Sequence, residues 1–223
     1  MSSINIGVYI PSGDVQLLDL ACVDLLNMMS RQAVHFLPNI PPDVVAATPA
    51  VNFLYITTQK VINDPNGAVL TSNLRIVPSH VITDPDVQPG RLDIVVVPGT
   101  DPAIGFDADA CDFLRRHAAI PTVDILSVCS GIYVLGHAGM LKGIKACGPI
   151  GLQADIATKF PGVELFGDSL RWIQDGNIWS SGGVTNGNDL VAAYARSNKR
   201  FPPLVVETAL VVADVGNRPQ RFN

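Results

Sequence analysis

The chain has 223 residues, 48% of them hydrophobic and 16% charged, a composition that folds around a core instead of staying disordered. A formal net charge of −5, with no lysine- or arginine-rich run, argues against nucleic acid and anionic membrane surfaces as partners. No stretch approaches the roughly 18 apolar residues of a membrane span, and "MSSINIGVYIPSGD" lacks the basic start of a secretory leader, so the expected location is the cytoplasm.

Read in chain order, "INIGVYI" (4–10) is a β-branched strand closed by the turn "PSGD". "LLDLACVDLLNMM" (17–29) has apolar residues on most faces and predicts a buried helix. The Pro-rich stretch 38–50 reads as a surface loop, and "VNFLYITTQ" (51–59) as a strand. "DPNG" (64–67), between "KVI" and "AVLTSNLRIVP", predicts a hairpin on the sheet's edge. "RLDIVVVPGTDP" (91–102) is an unbroken apolar run ending in a Pro-Gly loop, the pattern of a parallel strand covered on both faces. A helix over 107–119 has an acidic start and a basic end. A second buried strand, 121–128, runs into a helix from about Ser130 to Leu141. A helix near 151–159, short strands "VELFG" and "RWIQDGNIWSS", and helices near 187–198 and 203–214 complete the chain. Strands alternating with helices, several of them apolar throughout, predict a doubly wound, mostly parallel α/β sheet. With no internal repeat or change of composition, residues 1–223 read as one domain.

The four cysteines (Cys22, Cys111, Cys129, Cys147) and four histidines lie scattered, with no C-x-x-C pair or metal-ligand spacing. Cys129 stands apart because "SVCSG" falls where a strand turns into a helix. A nucleophile on such an elbow needs small neighbours two residues away, and Ser127 and Gly131 supply them. The helix amides there favour a thiolate, and the Ser130 amide, with one from the Gly99–Thr100 loop, can hold an oxyanion. The residues alone leave Cys129 open between this role and that of a small buried hydrophobe.

Asp19 sits in an otherwise apolar helical stretch. Such a carboxylate is either paired or held partly protonated, which suits proton exchange with a thiol; a helix-capping role is the alternative. His137 lies eight residues past Cys129, roughly 12 Å along a helix, too far to serve as its base. Cys22 reads as core, Asp24 as exposed or helix-packing, and Cys111 and Cys147 as structural. "SSGGVTNGNDL" lacks a phosphate-cradle pattern and reads as a turn that lets Asp189 cap or brace the next helix.

"QLLDL", "DIVVVPG", "SVCSGIYVLGHAGMLKGIKA" and "WSSGGVTNGNDL" together resemble the ThiJ/PfpI superfamily of class I glutamine amidotransferase-like proteins, over nearly the whole chain. The nearest branch is that of isonitrile hydratases and the amidase-like domains of some transcriptional regulators. The resemblance implies a flavodoxin-like fold and a homodimer. It matches Cys129 to the family cysteine, Ser130 to the hydroxyl residue after it, and Asp19 to the aspartate of isonitrile hydratases. Gly99 and Thr100 stand where two glycines are common, so Thr100 supplies the oxyanion-hole amide. Gly148 and Pro149 replace a histidine found in many relatives, which removes the base of glyoxalase-type chemistry. Cys22-Val23 replaces a common Gly-Pro. No DNA-binding domain follows Asn223, which disfavours the regulator branch.

These features imply a lyase that needs no cofactor and hydrates a small-molecule isonitrile to a formamide. The rival readings are a glyoxalase or deglycase acting on 2-oxoaldehydes, and a noncatalytic binder or redox sensor oxidised at Cys129.

Overall fold

The computed structural model describes residues 3–12 and 15–222. Strand β1 (Ser3–Tyr9) leads through a 3-10 turn at Leu17–Leu20 into helix α1 (Ala21–Met28), followed by α2 (Pro42–Ala47) and β2 (Ala50–Thr57). Next come α3 (Gln59–Ile62), β3 (Ala68–Val69), β4 (Arg75–Ile76), β5 (His80–Val81) and β6 (Ile94–Val97). Helix α4 (Ala108–Ala118), β7 (Asp124–Ser127), α5 (Gly131–His137), β8 (Lys145–Ala146) and α6 (Gln153–Lys159) follow. The chain closes with β9 (Glu164–Leu165), β10 (Trp172–Asp175), β11 (Ile178–Ser181), α7 (Asn186–Ser197) and α8 (Pro203–Ala213).

Seven strands form one sheet in the order β10-β11-β7-β6-β1-β2-β5. Every neighbouring pair is parallel except the terminal hairpin β10–β11. This is the doubly wound, flavodoxin-like architecture that the alternation of elements predicts. The strands' period of two explains why both faces are apolar. Ile94, Val96, Leu126 and Val128 meet α1, α7 and α8 on one face. Val95, Val97 and Ile125 meet α4 and α5 on the other. Each such buried side chain contributes roughly 1.5–3 kcal/mol relative to exposure, so a charge at Val96, which is 0% exposed, would break the centre of the sheet.

Five local expectations change. The loop over 38–50 contains α2, whose first residue is Pro42, with its φ already set for a helix. Residues 60–62 belong to α3, not a strand, and "DPNG" joins α3 to β3. The hairpin is β3–β4, a separate two-stranded ribbon, while β5 and β10 are the true sheet edges. The helix after Cys129 ends at His137 because Gly139 takes φ 73, with Gly139 and Met140 amides donating back to Gly136 and Leu135 carbonyls. The predicted helix from residue 17 opens as a 3-10 turn and becomes α-helical only at Ala21.

The chain leaves β1 toward β2 on one side, while β6, β7 and β11 run out on the other, so the topological switch lies between β1 and β6. The crevice beyond the carboxyl ends of these strands is where such sheets hold ligands. Asp19 follows β1, Gly99 and Thr100 follow β6, and Cys129 follows β7.

Candidate active site

β7 pairs with β6 so that Ser127 lies opposite Val97, and the Val128 amide donates to the Val97 carbonyl (2.9 Å). The next residue must turn sharply for α5 to begin, and Cys129 does so at φ 55, in the left-handed region. A non-glycine residue held there stores about 1–3 kcal/mol of strain. The Cys129 amide donates to the Gly182 carbonyl beyond β11 (3.1 Å), which helps hold the turn. Gly131 is small for a concrete reason: a Cβ there would collide with the Val97 carbonyl oxygen. The expected strand-to-helix elbow is present.

Asp19 is fully buried in the 3-10 turn after β1. Its Oδ2 accepts the Gly99 amide (2.8 Å), whereas Oδ1 is buried without a conventional donor. The thiol of Cys129 lies within hydrogen-bonding reach of this carboxylate. Among the described residues no cation neutralises it, and burial pushes the Asp19 pKa up to about 7, against the pull of the Gly99 amide and the thiol. The alternative of a helix cap falls away, because the turn has no side-chain cap hydrogen bond.

Cys129 is half-buried, and the backbone amides of Val184 and Ser130 point to its sulfur as donors. Burial, then the nearby Asp19 charge, still raises its pKa. A thiol in this state needs a base in contact, and Asp19 is the carboxylate in place. The other cysteines differ. Burial pushes Cys22 and Cys147 up to about 12, and Cys111 also lies above the usual thiol range. These three pack in the interior, as expected.

The Ser130 hydroxyl donates to the Thr100 carbonyl (2.7 Å) and also lies in bonding range of the Cys129 sulfur. Its single proton serves one acceptor at a time, leaving its lone pairs free for a water or substrate donor. Gly99 has a different part from the one expected. Its amide is occupied by Asp19, which leaves Thr100 as that loop's remaining amide beside Ser130. A Cβ on Gly99 would stand 2.5 Å from Asp19 Oδ2 and 2.6 Å from Ser130 Oγ, so the glycine allows these two groups to converge.

Gln16, Thr71, Thr100, Asp101, Cys129 and Ser130 line an open cleft of about 250 Å³. No histidine lines it. His137 is held at the end of α5 between the Phe106 and Phe160 rings, at 5.1 and 5.2 Å. A larger cavity of about 820 Å³ lies between the end of α7 and the start of α8 and contains none of the predicted site residues. Its arginines are engaged: Arg196 pairs with Glu207, and Arg200 with Asp93 and Asp124. The smaller cleft, with the elbow at its floor, is the chemically equipped one. Among the described residues, no three or more His, Cys, Asp or Glu side chains are grouped to hold a metal ion. Nor is any described helix long and apolar enough to cross a membrane.

The sequence reading missed Gln16, Thr71 and, above all, the Gly182–Thr185 loop. The paired glycines signalled a turn, but nothing signalled that Val184, a β-branched residue at φ 27, would aim its amide at the cysteine. Asp189 does not cap α7. It lies inside the helix, 3% exposed, and its carboxylate is gripped by Arg218.

Comparison with known proteins agrees with this geometry. The model of the DJ-1/PfpI family matches residues 44–197, a span that includes Gly99, Thr100, Cys129 and Ser130. An isonitrile hydratase of Pseudomonas putida is 30% identical over 159 residues, covering 70% of this chain. The match spans 63% of that protein's own length, just under two thirds. A ThiJ/PfpI family protein from Pseudomonas syringae superimposes with a TM-score of 0.71 at 21% identity, covering 100% of this chain and 79% of that one. Drosophila melanogaster DJ-1beta does so with a TM-score of 0.71 at 16% identity, covering 96% and 99%. Sharing both the sequence pattern through its elbow and the fold from end to end, the chain belongs to the DJ-1/PfpI family.

Proposed function

We propose that this protein hydrates a small isonitrile to an N-substituted formamide, with Cys129 as nucleophile and Asp19 as its proton partner. The observation that carries this reading is the buried Asp19 carboxylate, with no cation beside it among the described residues and the thiol of the strained elbow within hydrogen-bonding reach. The similarity to an isonitrile hydratase supports the choice of substrate class.

In the first step ionised Asp19 takes the Cys129 proton as sulfur attacks the terminal carbon of R–N≡C. The same proton passes from Asp19 to that carbon, giving the thioimidate R–N=CH–S–Cys129 and regenerating the carboxylate. Asp19 then removes a proton from water as its oxygen adds to the carbon, and delivers it to nitrogen. The Ser130 hydroxyl orients this water, and the Ser130 and Thr100 amides stabilise the charge that develops. Collapse of R–NH–CH(OH)–S–Cys129 returns the hydroxyl proton to sulfur and releases R–NH–CHO. The net change is addition of one water, with no oxidant or reductant.

The cleft's modest size fits a small substrate, and the absence of a histidine from its lining argues against glyoxalase-type turnover. We place the enzyme in the cytoplasm as a homodimer, and sedimentation at twice the chain's mass checks the latter. To test the activity, purified protein is mixed with an alkyl isonitrile, and loss of the isonitrile infrared band is followed with formation of the formamide. Turnover lost in Cys129→Ala is the expected result; full activity in that variant would overturn the assignment.

A further inference from the structure

Beyond α8, residues 215–222 run back across the edge of the sheet and are fixed along it. The Arg171 amide donates to the Gln220 carbonyl (2.7 Å), Phe222 donates to Ser169 (3.1 Å), and the Arg171 guanidinium lies over the Phe222 ring. At the head of this strap stands Arg218. Its Nε and Nη2 donate to Oδ1 and Oδ2 of Asp189, which is 3% exposed, in a two-pronged ion pair. Nη2 also donates to the carbonyl (3.0 Å) and hydroxyl (3.2 Å) of Thr185.

Thr185 ends the loop that touches Cys129 from both sides. Gly182 supplies the carbonyl to the Cys129 amide, and Val184 aims its amide at the sulfur while held at φ 27. That conformation is unfavourable for a β-branched residue, so neighbouring contacts must hold it. Three are visible. The Gly182 amide is tied to the Arg171 carbonyl (2.8 Å), Gly187 packs against Val128 so closely that a Cβ would lie 2.7 Å from its side chain, and Arg218 pins Thr185. Asp189 contributes by fixing the fork of the guanidinium, whose planar, two-pronged geometry an ammonium group cannot reproduce.

We propose that Arg218 is a positioning residue for the nucleophile: through Thr185 and Asp189 it holds the 182–185 loop in the conformation that presents the Val184 amide to the Cys129 sulfur. It acts through that loop, not on substrate. This rests on the reading of Cys129 as the reactive thiol and deepens it.

The test uses iodoacetamide on the intact protein, with mass spectrometry locating the label, and so does not depend on the identity of the substrate. In Arg218→Ala, with circular dichroism showing an intact fold, Cys129 alkylation is expected to slow about tenfold near neutral pH. Its midpoint should move up by about one pH unit, since a unit of thiol pKa is a tenfold change in thiolate. With an isonitrile substrate, kcat should fall while KM stays nearly constant, and Arg218→Lys should recover only part of the loss. Should Arg218→Ala not fold, the double variant Arg218→Leu/Asp189→Leu removes the pair without stranding a buried charge and should show the same alkylation shift. An unchanged Cys129 pH profile in either folded variant overturns the proposal. A wild type alkylated at Cys129 but inactive on isonitriles would overturn the proposed reaction while leaving this role of Arg218 intact.

Discussion

Two buried aspartates, Asp19 beside Cys129 and Asp189 inside α7, have opposite surroundings. Asp19, 0% exposed, has one oxygen on the Gly99 amide and the other without a conventional donor, and no cation among the described residues pulls on it. Asp189, 3% exposed, is gripped by Arg218 through both oxygens. Burial raises the pKa of each, but only at Asp189 does a guanidinium pull it back. A buried carboxylate with a cation is fixed as an anion and organises structure. A buried carboxylate without one sits near neutrality, at about 7, and can exchange a proton with its neighbour. Fold and chemistry thus use the same side chain in two ways.

The largest expected effect comes from removing the proton partner. Asp19→Asn should reduce isonitrile turnover by about 10²–10⁴-fold, the usual worth of general acid–base catalysis, in initial-rate assays. Asp189→Asn leaves a neutral group beside Arg218 and should leave far more activity, because its effect reaches Cys129 only through the loop. Equal losses in the two would erase the distinction.

Next is Gly99→Ala. Its methyl group would press on Asp19 Oδ2 and Ser130 Oγ, so activity should drop by about tenfold or more while the protein stays folded, as misplaced catalytic groups weaken proximity effects. Wild-type activity in a folded variant would mean that the two groups need not converge.

Stability gives a third contrast. The folded-state pKa of Asp19 lies above its unfolded value, so its contribution to stability is greatest below about pH 4 and is lost as pH rises through about 7. Asp19→Asn should therefore raise Tm by several degrees at about pH 8 and by little at about pH 5, in thermal melts. A variant less stable than wild type at about pH 8 would show that Asp19 is not burdened by its burial.

The smallest effect marks the surface. Asp112 pairs with Arg115 and Arg116 on the exposed side of α4, so Asp112→Ala should leave the denaturant midpoint nearly unmoved and turnover unchanged.

The sheet was legible because its central strands are apolar without interruption, and "IVVV" at 94–97 can only be a strand covered on both faces. The elbow was legible because the backbone constraint leaves a mark on neighbouring residues: Gly131 must lack a Cβ to clear Val97. Asp19 was conspicuous as a charge in an apolar stretch. Residues 60–62 misled because "KVI" is too short for periodicity to separate a strand from one turn of helix. The Arg218–Asp189–Thr185 contact was hidden for another reason. It joins residues 29 and 33 apart in sequence, with no local pattern to announce it. The positive φ of Val184 likewise belongs to tertiary packing and not to the residue's own preference.

The central claim is that Cys129 and Asp19 share a proton to hydrate an isonitrile. Its most direct test is the pH dependence of formamide production, as kcat/KM, for the wild type and Asp19→Asn. Formamide is expected from the wild type, with a limb rising through about pH 7 as Asp19 ionises, and loss of that limb with most of the rate in Asp19→Asn. A wild type that forms no formamide, or an Asp19→Asn enzyme with the same limb and rate, would contradict it.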